Sequence, residues 1–249
     1  MCYNALLNNR LFRILRLKKK QYIPKPFFEY KKIKSIFKYP KRVAMAEFIK
    51  LYEENPNPKE LKRIVKIIRD GGLVIYPSDT VYALGCDITN NRALERVAQL
   101  KGVKLEKANF SFVCEDLSNL SDYVRQINTS TFKILKRALP GPYTFILPGN
   151  NNLPTVFKKK KEVGIRVPNN NITRAIVREL GNPIVSTSIK DEDEVIEYTT
   201  DPELIFEKWG KLVDVIVDGG YGDNTPSTVI DLTGDEPVLI REGKGSLEI

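Results

Sequence analysis

The sequence predicts an α/β protein built on one mixed parallel and antiparallel sheet flanked by helices. Two observations carry that prediction. Short apolar runs such as Val74-Ile75-Tyr76, Tyr143 to Leu147 and Ile184-Val185 are bounded by Gly, Pro, Asn or Asp and alternate with stretches of helical spacing. Continuous runs of this kind suit strands covered by helices rather than strands with one face in water. In addition, the last runs follow one another without a helix between them, so the sheet cannot be purely parallel.

The elements follow in order. Asn57-Pro58 with Glu60 reads as a helix start with an N-cap, a first-turn proline and an early acid. Leu61, Ile64, Val65 and Ile68 then share one face until Gly71-Gly72 stops the helix, and the strand Leu73 to Tyr76 comes next. Further helices are expected at Asn91 to Lys101, Ser130 to Ala138, Ile172 to Leu180 and Pro202 to Trp209, the last opened by Asp201 and closed by Gly210. Further strands are expected at Phe110 to Cys114, Tyr143 to Leu147, Val163 to Val167, Ile184 to Ser188, Val213 to Val217, Thr228 to Leu232 and Val238 to Arg241. The run Lys158 to Lys161 reads as a solvated turn.

A chain of 249 residues with 42% hydrophobic content encloses one good-sized core. We expect that domain at residues 45–249. Residues 1–44 are a basic arm: thirteen Lys or Arg against one acid give it +12, while the remaining 27 basic and 30 acidic residues leave the rest at −3. An arm of this kind suits RNA, a membrane surface or a transit segment, although it has a single serine, Ser35. Because Met45 stands just before a sequence that reads like a domain opening, we expect a disordered tail or a misassigned start.

The absence of histidine excludes Ser-His-Asp and Cys-His catalysis within this chain. Cys2, Cys86 and Cys114 are widely spaced and have no histidine beside them, so neither a disulfide framework nor a zinc site is expected, and no side chains are identified as metal ligands. A soluble protein of a reducing, cytoplasmic compartment fits, with no membrane partner. Any chemistry must use Lys, Arg, carboxylates, hydroxyls or a bound metal.

Hydroxyl groups cluster where strands end. Val74-Ile75-Tyr76 runs into Pro77-Ser78-Asp79-Thr80, Ile184-Val185 into Ser186-Thr187-Ser188, and Pro226-Ser227-Thr228 opens a later strand. Ligands of α/β sheets occupy the crevice at strand ends, where backbone amides and helix N-termini meet anions. Singly, each of these residues is an ordinary turn or cap residue. There is no P-loop and no GxGxxG, and the Gly243-Lys244-Gly245 stretch opens no helix.

In combination, "GGLVIYPSDTVYALGCD", "PGPYTFIL", "GIRVP", "PIVSTS", "PSTVIDL" and "LIREG", in that order, resemble the YrdC/YciO family. The likeness covers Met45 to Ile249 and is nearest to the YciO branch, through "NFSFVCEDLSNLSDY". The resemblance implies a twisted sheet with a large concave, positively charged cavity. It also implies threonylcarbamoyl-AMP synthase activity, in which L-threonine, bicarbonate and ATP, with magnesium, give threonylcarbamoyl-AMP and diphosphate. The product would feed a partner transferase complex that makes threonylcarbamoyladenosine at tRNA position 37. The alternative is a YciO-like module that binds tRNA or double-stranded RNA.

Carried onto this chain, the resemblance assigns Ser78, Asp79, Thr80 and Tyr82 to the threonine end of the site. Lys101, Arg166 and Lys104 become the catalytic cations, and Thr144, Ser186, Ser188, Lys190, Ser227, Thr228 and Arg241 bind the nucleotide. The chain departs from the synthase pattern twice. Lys101-Gly102-Val103 stands where the pattern has Lys-x-Arg, with Lys104 the candidate replacement, and Ser188-Ile189-Lys190 stands where it has Ser-x-Asn. A lysine reproduces neither an arginine fork nor an asparagine amide.

Overall fold

The computed structural model describes residues 44–151, 153–157, 160–189 and 197–246. The expected arm, apart from Ala44, and the candidate Lys190 lie outside the described residues. Helix starts follow the capping residues. The side chains of Asn57, Asn90, Asn128, Asn170 and Asp201 each accept a first-turn N–H, opening α1 (Pro58–Arg69), α2 (Asn91–Leu100), α3 (Thr129–Ala138), α4 (Asn171–Leu180) and, after the short α5 (Glu197–Thr200), α6 (Pro202–Trp209). Gly181 ends α4 in the left-handed region at φ 84°, where a side chain would be strained.

Among the described residues, ten strands form one sheet: β1 (Glu47–Lys50), β2 (Val74–Tyr76), β3 (Ala83–Asp87), β4 (Ser111–Val113), β5 (Tyr143–Pro148), β6 (Glu162–Arg166), β7 (Ile184–Ser188), β8 (Val215–Asp218), β9 (Thr228–Asp231) and β10 (Val238–Arg241). Their spatial order is β1-β8-β2-β3-β7-β4-β6-β5-β9-β10. The pairs β1/β8, β2/β8, β4/β6 and β5/β9 are parallel and the others antiparallel, so the sheet is mixed as expected.

Side-chain alternation gives the sheet two different faces. One carries Ile75, Leu84, Phe112, Phe145, Ile165, Val185 and Ile216 into a large core shared with α2, α3 and α6. The other carries Val74, Tyr76, Ala83, Val113, Ile184, Val215 and Val217 into a smaller core shared with α1 and α4. That second core stops at Val113 and Ile184. Farther along the same face, half-buried Ile146 and Val229 belong to neither core, and this stretch is where the hydroxyl-bearing residues lie.

Three local expectations needed correction. Strands β1 and β3 were not anticipated, because β3 is hidden in the apolar tail of the polar Pro77 to Thr80 segment. Strand β8 begins two residues later than expected. Lys160 is not a simple solvated turn residue: its ammonium donates to the Ala108 carbonyl, and partial burial lowers its pKa.

Candidate active site

The site is built on rows of residues that neighbouring strands hold in register. Gly85 pairs with Ser186, Ser186 with Ser111, Ser111 with Gly164, and Gly164 with Ile146, which makes one row across five strands. Residues paired directly across strands share a face, so Gly85, Ser186, Ser111 and Gly164 form a strip without bulky side chains. A Cβ on Gly85 would lie 2.5 Å from Ile184 Cγ2 and 3.0 Å from the Tyr76 ring. The glycine thus lets Tyr76 lie across the strip and donate from its hydroxyl to Ser186 Oγ at 2.7 Å. Burial pushes the Tyr76 pKa up to about 12, against the lowering effect of that hydrogen bond.

The next row carries the cations. Arg241 pairs with Val229 and Val229 with Thr144, while Val113 pairs with Arg166. The β5/β6 register, Phe145 with Ile165, places Thr144 opposite Arg166 when continued by one residue. Arg241, Thr144 and Arg166 therefore share one row and one face. Thr144 Oγ1 lies 2.9 Å from Ser227 Oγ, and the Arg241 guanidinium donates to the Ser227 carbonyl from Nε at 3.2 Å and from Nη2 at 2.9 Å. The Arg241 pKa is lowered first by burial and then by the nearby Arg166 charge.

Arg166 is the centre of the polar group. Its Nη2 donates to Asp79 Oδ1 and to Thr80 Oγ1, both at 3.0 Å. Asp79 Oδ2 in turn accepts the Asn169 N–H at 2.9 Å, just ahead of α4. Ser78 Oγ donates to the Val81 carbonyl at 2.7 Å and accepts the Thr80 N–H, while the buried Thr173 hydroxyl donates to the Pro77 carbonyl. The polar segment after β2 is thus a self-bonded frame that grips a buried arginine. Arg166 Nε is buried and has no hydrogen-bond partner among the described residues. An unmatched buried donor costs about 1–3 kcal/mol, and a ligand acceptor would remove that cost.

The structure brings together Ser78, Asp79, Thr80 and Arg166 by direct contact, and places Thr144, Ser186, Ser188, Ser227 and Arg241 on or beside the same face. Two of the expected site residues use their hydroxyls on the protein's own backbone. Tyr82 is buried; its hydroxyl donates to the Gly220 carbonyl at 2.7 Å and accepts the Gly219 N–H at 3.1 Å, and burial pushes its pKa far up. Thr228 is also buried, and its hydroxyl donates to the Gly245 carbonyl and accepts the Gly243 N–H. Lys101 is the half-buried C-cap of α2, and Lys104 is exposed at the entry of the next turn. The contacts just described are made by other side chains.

Sequence reasoning missed Tyr76, Ser111, Asp223 and Lys244. Lys244 Nζ donates to the Asp79 carbonyl and to Asp223 Oδ2, both at 2.8 Å. The sequence held a signal for it in the flanking glycines, which are needed for close approach. A Cβ on Gly243 would meet the Pro226 carbonyl at 2.3 Å, and one on Gly245 the Tyr143 ring at 2.4 Å. Among the described residues, no group of three or more Cys, Asp or Glu could hold a metal ion, and no helix is long and apolar enough to cross a membrane.

A mixed open sheet flanked by helices is a fold that this chain shares with known proteins. Residues 66–243 match the family model Sua5_yciO_yrdC, described as telomere recombination. The chain is 40% identical over 207 residues to Escherichia coli (strain K12) YciO, covering 82% of this chain and 98% of that protein. The E. coli YciO crystal structure superposes with a TM-score of 0.75. A threonylcarbamoyl-AMP synthase of Nitrosococcus oceani is 32% identical over 168 residues, covering 67% of this chain and 89% of that one. The crystal structure of P. abyssi Sua5 complexed with L-threonine matches at 28% identity and a TM-score of 0.70, covering 79% of this chain and 57% of that one. The chain belongs to the Sua5/YciO/YrdC family.

Proposed function

We propose that this protein is a nucleotidyltransferase of the threonylcarbamoyl-AMP synthase type, converting L-threonine, bicarbonate and ATP into threonylcarbamoyl-AMP and diphosphate. The observation that carries the proposal is Arg166, a buried cation whose Nε lacks an acceptor among the described residues, on a face that also carries several hydroxyls. Likeness to a named synthase and to a Sua5 that holds L-threonine supports the same choice.

The chemistry needs no histidine. Threonine's neutral amine adds to bicarbonate with loss of water to give a carbamate. A carbamate oxygen then attacks the α-phosphorus of ATP and diphosphate leaves. Arg166 and Arg241 offset negative charge that grows on the phosphate oxygens; Ser186, Ser111, Thr144 and Ser227 supply hydroxyls along the nucleotide. Asp79 keeps Arg166 in place, with Ser78 and Thr80 as its frame. Magnesium would be carried on the phosphate oxygens of ATP, since Asp79, the carboxylate beside Arg166, is already paired with that arginine. The product would pass to the transferase that modifies tRNA, in the cytoplasm.

The test is diphosphate release by purified protein. Release that requires threonine, bicarbonate and ATP together is the expected result. No release above the omission controls, while a Sua5-type synthase releases it under the same conditions, would refute the proposal.

A further inference from the structure

Lys244 lies on the C-terminal loop that follows β10, and its position is fixed by backbone contacts rather than by its own side chain. Its N–H donates to the Pro226 carbonyl at 2.8 Å, and the preceding Gly243 N–H donates to Thr228 Oγ1 at 3.1 Å. Both flanking glycines press against neighbouring groups that leave no room for a Cβ. The loop is therefore seated beside Ser227, the residue that receives Arg241, and the lysine reaches from there to Asp79, the residue that holds Arg166.

Three cations, Arg166, Arg241 and Lys244, thus stand around two carboxylates, Asp79 and Asp223. Arg241 donates to neutral oxygens of Ser227, so the group carries one excess positive charge. The Lys244 side chain is 44% exposed and that of Asp223 35% exposed. An ion pair this open exchanges readily with a competing anion, because water already screens it. The lysine's tether at Asp79 is a backbone carbonyl, a neutral acceptor that a phosphate outcompetes.

We infer that Lys244 is a phosphate-binding residue of this site, held in waiting by Asp223 and transferred to the polyphosphate of the nucleotide when it binds. The inference rests on the nucleotide-binding part of the proposed function. It gives the two carboxylates different roles: Asp79 positions Arg166 permanently, whereas Asp223 is a placeholder for the ligand's charge.

The two partners of the Asp223–Lys244 pair can be separated experimentally. Asp223 Oδ1 accepts the N–H groups of Asn224 and Thr225, while Oδ2 faces the lysine. Asp223→Asn keeps an oxygen for the turn and removes the charge that competes for Lys244. If Lys244 meets phosphate, Lys244→Met weakens binding of inorganic diphosphate and of ATP by calorimetry, roughly ten- to a hundredfold, and Lys244→Arg restores much of it. Asp223→Asn then binds diphosphate as tightly as the unaltered protein or more tightly, with a steeper fall as salt is raised.

If the pair were only a strut between loops, Lys244→Met and Asp223→Asn would weaken binding equally, and that outcome overturns the inference. Unaltered affinity in Lys244→Met overturns it too, while leaving the proposed function standing. Unaltered protein that binds neither ATP nor diphosphate sinks both. Thermal unfolding of each variant separates a lost contact from a lost fold, and if Lys244→Met is unstable, the diphosphate affinity of Asp223→Asn alone decides the placeholder role: weakened binding overturns it.

Discussion

Arg166 on β6 and Asp79 after β2, separated by 87 positions in sequence, meet at 3.0 Å with side chains only 10% and 9% exposed. Removing one member of a buried pair strands the other charge, which costs about 3–5 kcal/mol. Asp79→Asn is predicted to lower the unfolding free energy by an amount near the low end of that range, read as a lower urea midpoint, since the amide oxygen still offers Arg166 an acceptor. The slope of the unfolding transition should not change. An unchanged midpoint would mean that the pair does not hold the segment in place.

Tyr76 and Ser186 give an alkaline signature. The folded-state pKa of Tyr76 is raised from 10.0 to about 12 by burial, so the folded protein resists ionising it. The corresponding stability is complete below pH 10 and is lost as pH rises toward 12. Tyr76→Phe is predicted to lower stability at pH 8 by about 1 kcal/mol through the lost hydrogen bond. It should also lose less stability than the unaltered protein between pH 10 and 12. Denaturant midpoints measured at both ends of that window check this, and parallel losses in the two proteins would contradict it.

The acid limb reports on the C-terminal loop. The hydrogen bond from Lys244 is the largest cause lowering the Asp223 pKa from 3.8 to about 2, with burial acting the other way. A depressed carboxylate contributes stability above its unfolded pKa and loses it as pH falls through the folded one. Lys244→Met is therefore predicted to give a shallower loss between pH 3.8 and 2. The effect is small because the pair is exposed, and a thermal series across that window is the suitable measurement.

Much of the architecture was legible because it rests on local rules. Asn57 and Asp201 at helix starts, prolines in the first turns of α1 and α6, and helical spacing elsewhere placed the long helices within a residue or so, and the structure adds Asn90, Asn128 and Asn170 as the caps of the others. The absence of helices between the last apolar runs announced a mixed sheet, although not which strands would pair. Strand β3 escaped notice since Gly85, which makes room for Tyr76, looks in sequence like a turn residue.

The site was less legible for a related reason. Ser78, Thr80 and Arg166 were expected to converge, but nothing local reveals that Tyr82 and Thr228 direct their hydroxyls to loop backbone. Neither does it reveal that Lys244 reaches Asp79 across 165 positions. Those contacts depend on strand order and register, which the hydroxyl clusters alone do not encode. The replacement expected of Lys104 is a separate matter. It is exposed, whereas Lys244 supplies a cation beside Asp79 that the motif likeness did not suggest.

Charge asymmetry yields a prediction for RNA. Residues 1–44 carry +12 and residues 45–249 carry −3, and nonspecific RNA affinity follows cationic contacts with phosphate. If RNA binds the full chain through these charges, a chain beginning at Met45 is predicted to lose most of the salt-dependent affinity in a filter or anisotropy assay. Retained affinity would locate an RNA surface on the folded domain instead.

Carbon-13 bicarbonate offers the most direct test of the Arg166 site as a carbamate-adenylating centre. Protein incubated with labelled bicarbonate, threonine and magnesium-ATP should yield an adenylate one mass unit heavier than the unlabelled threonylcarbamoyl-AMP, and Arg166→Met should abolish it. Formation of AMP or ADP without any labelled adenylate, or an undiminished labelled product from Arg166→Met, would contradict that assignment.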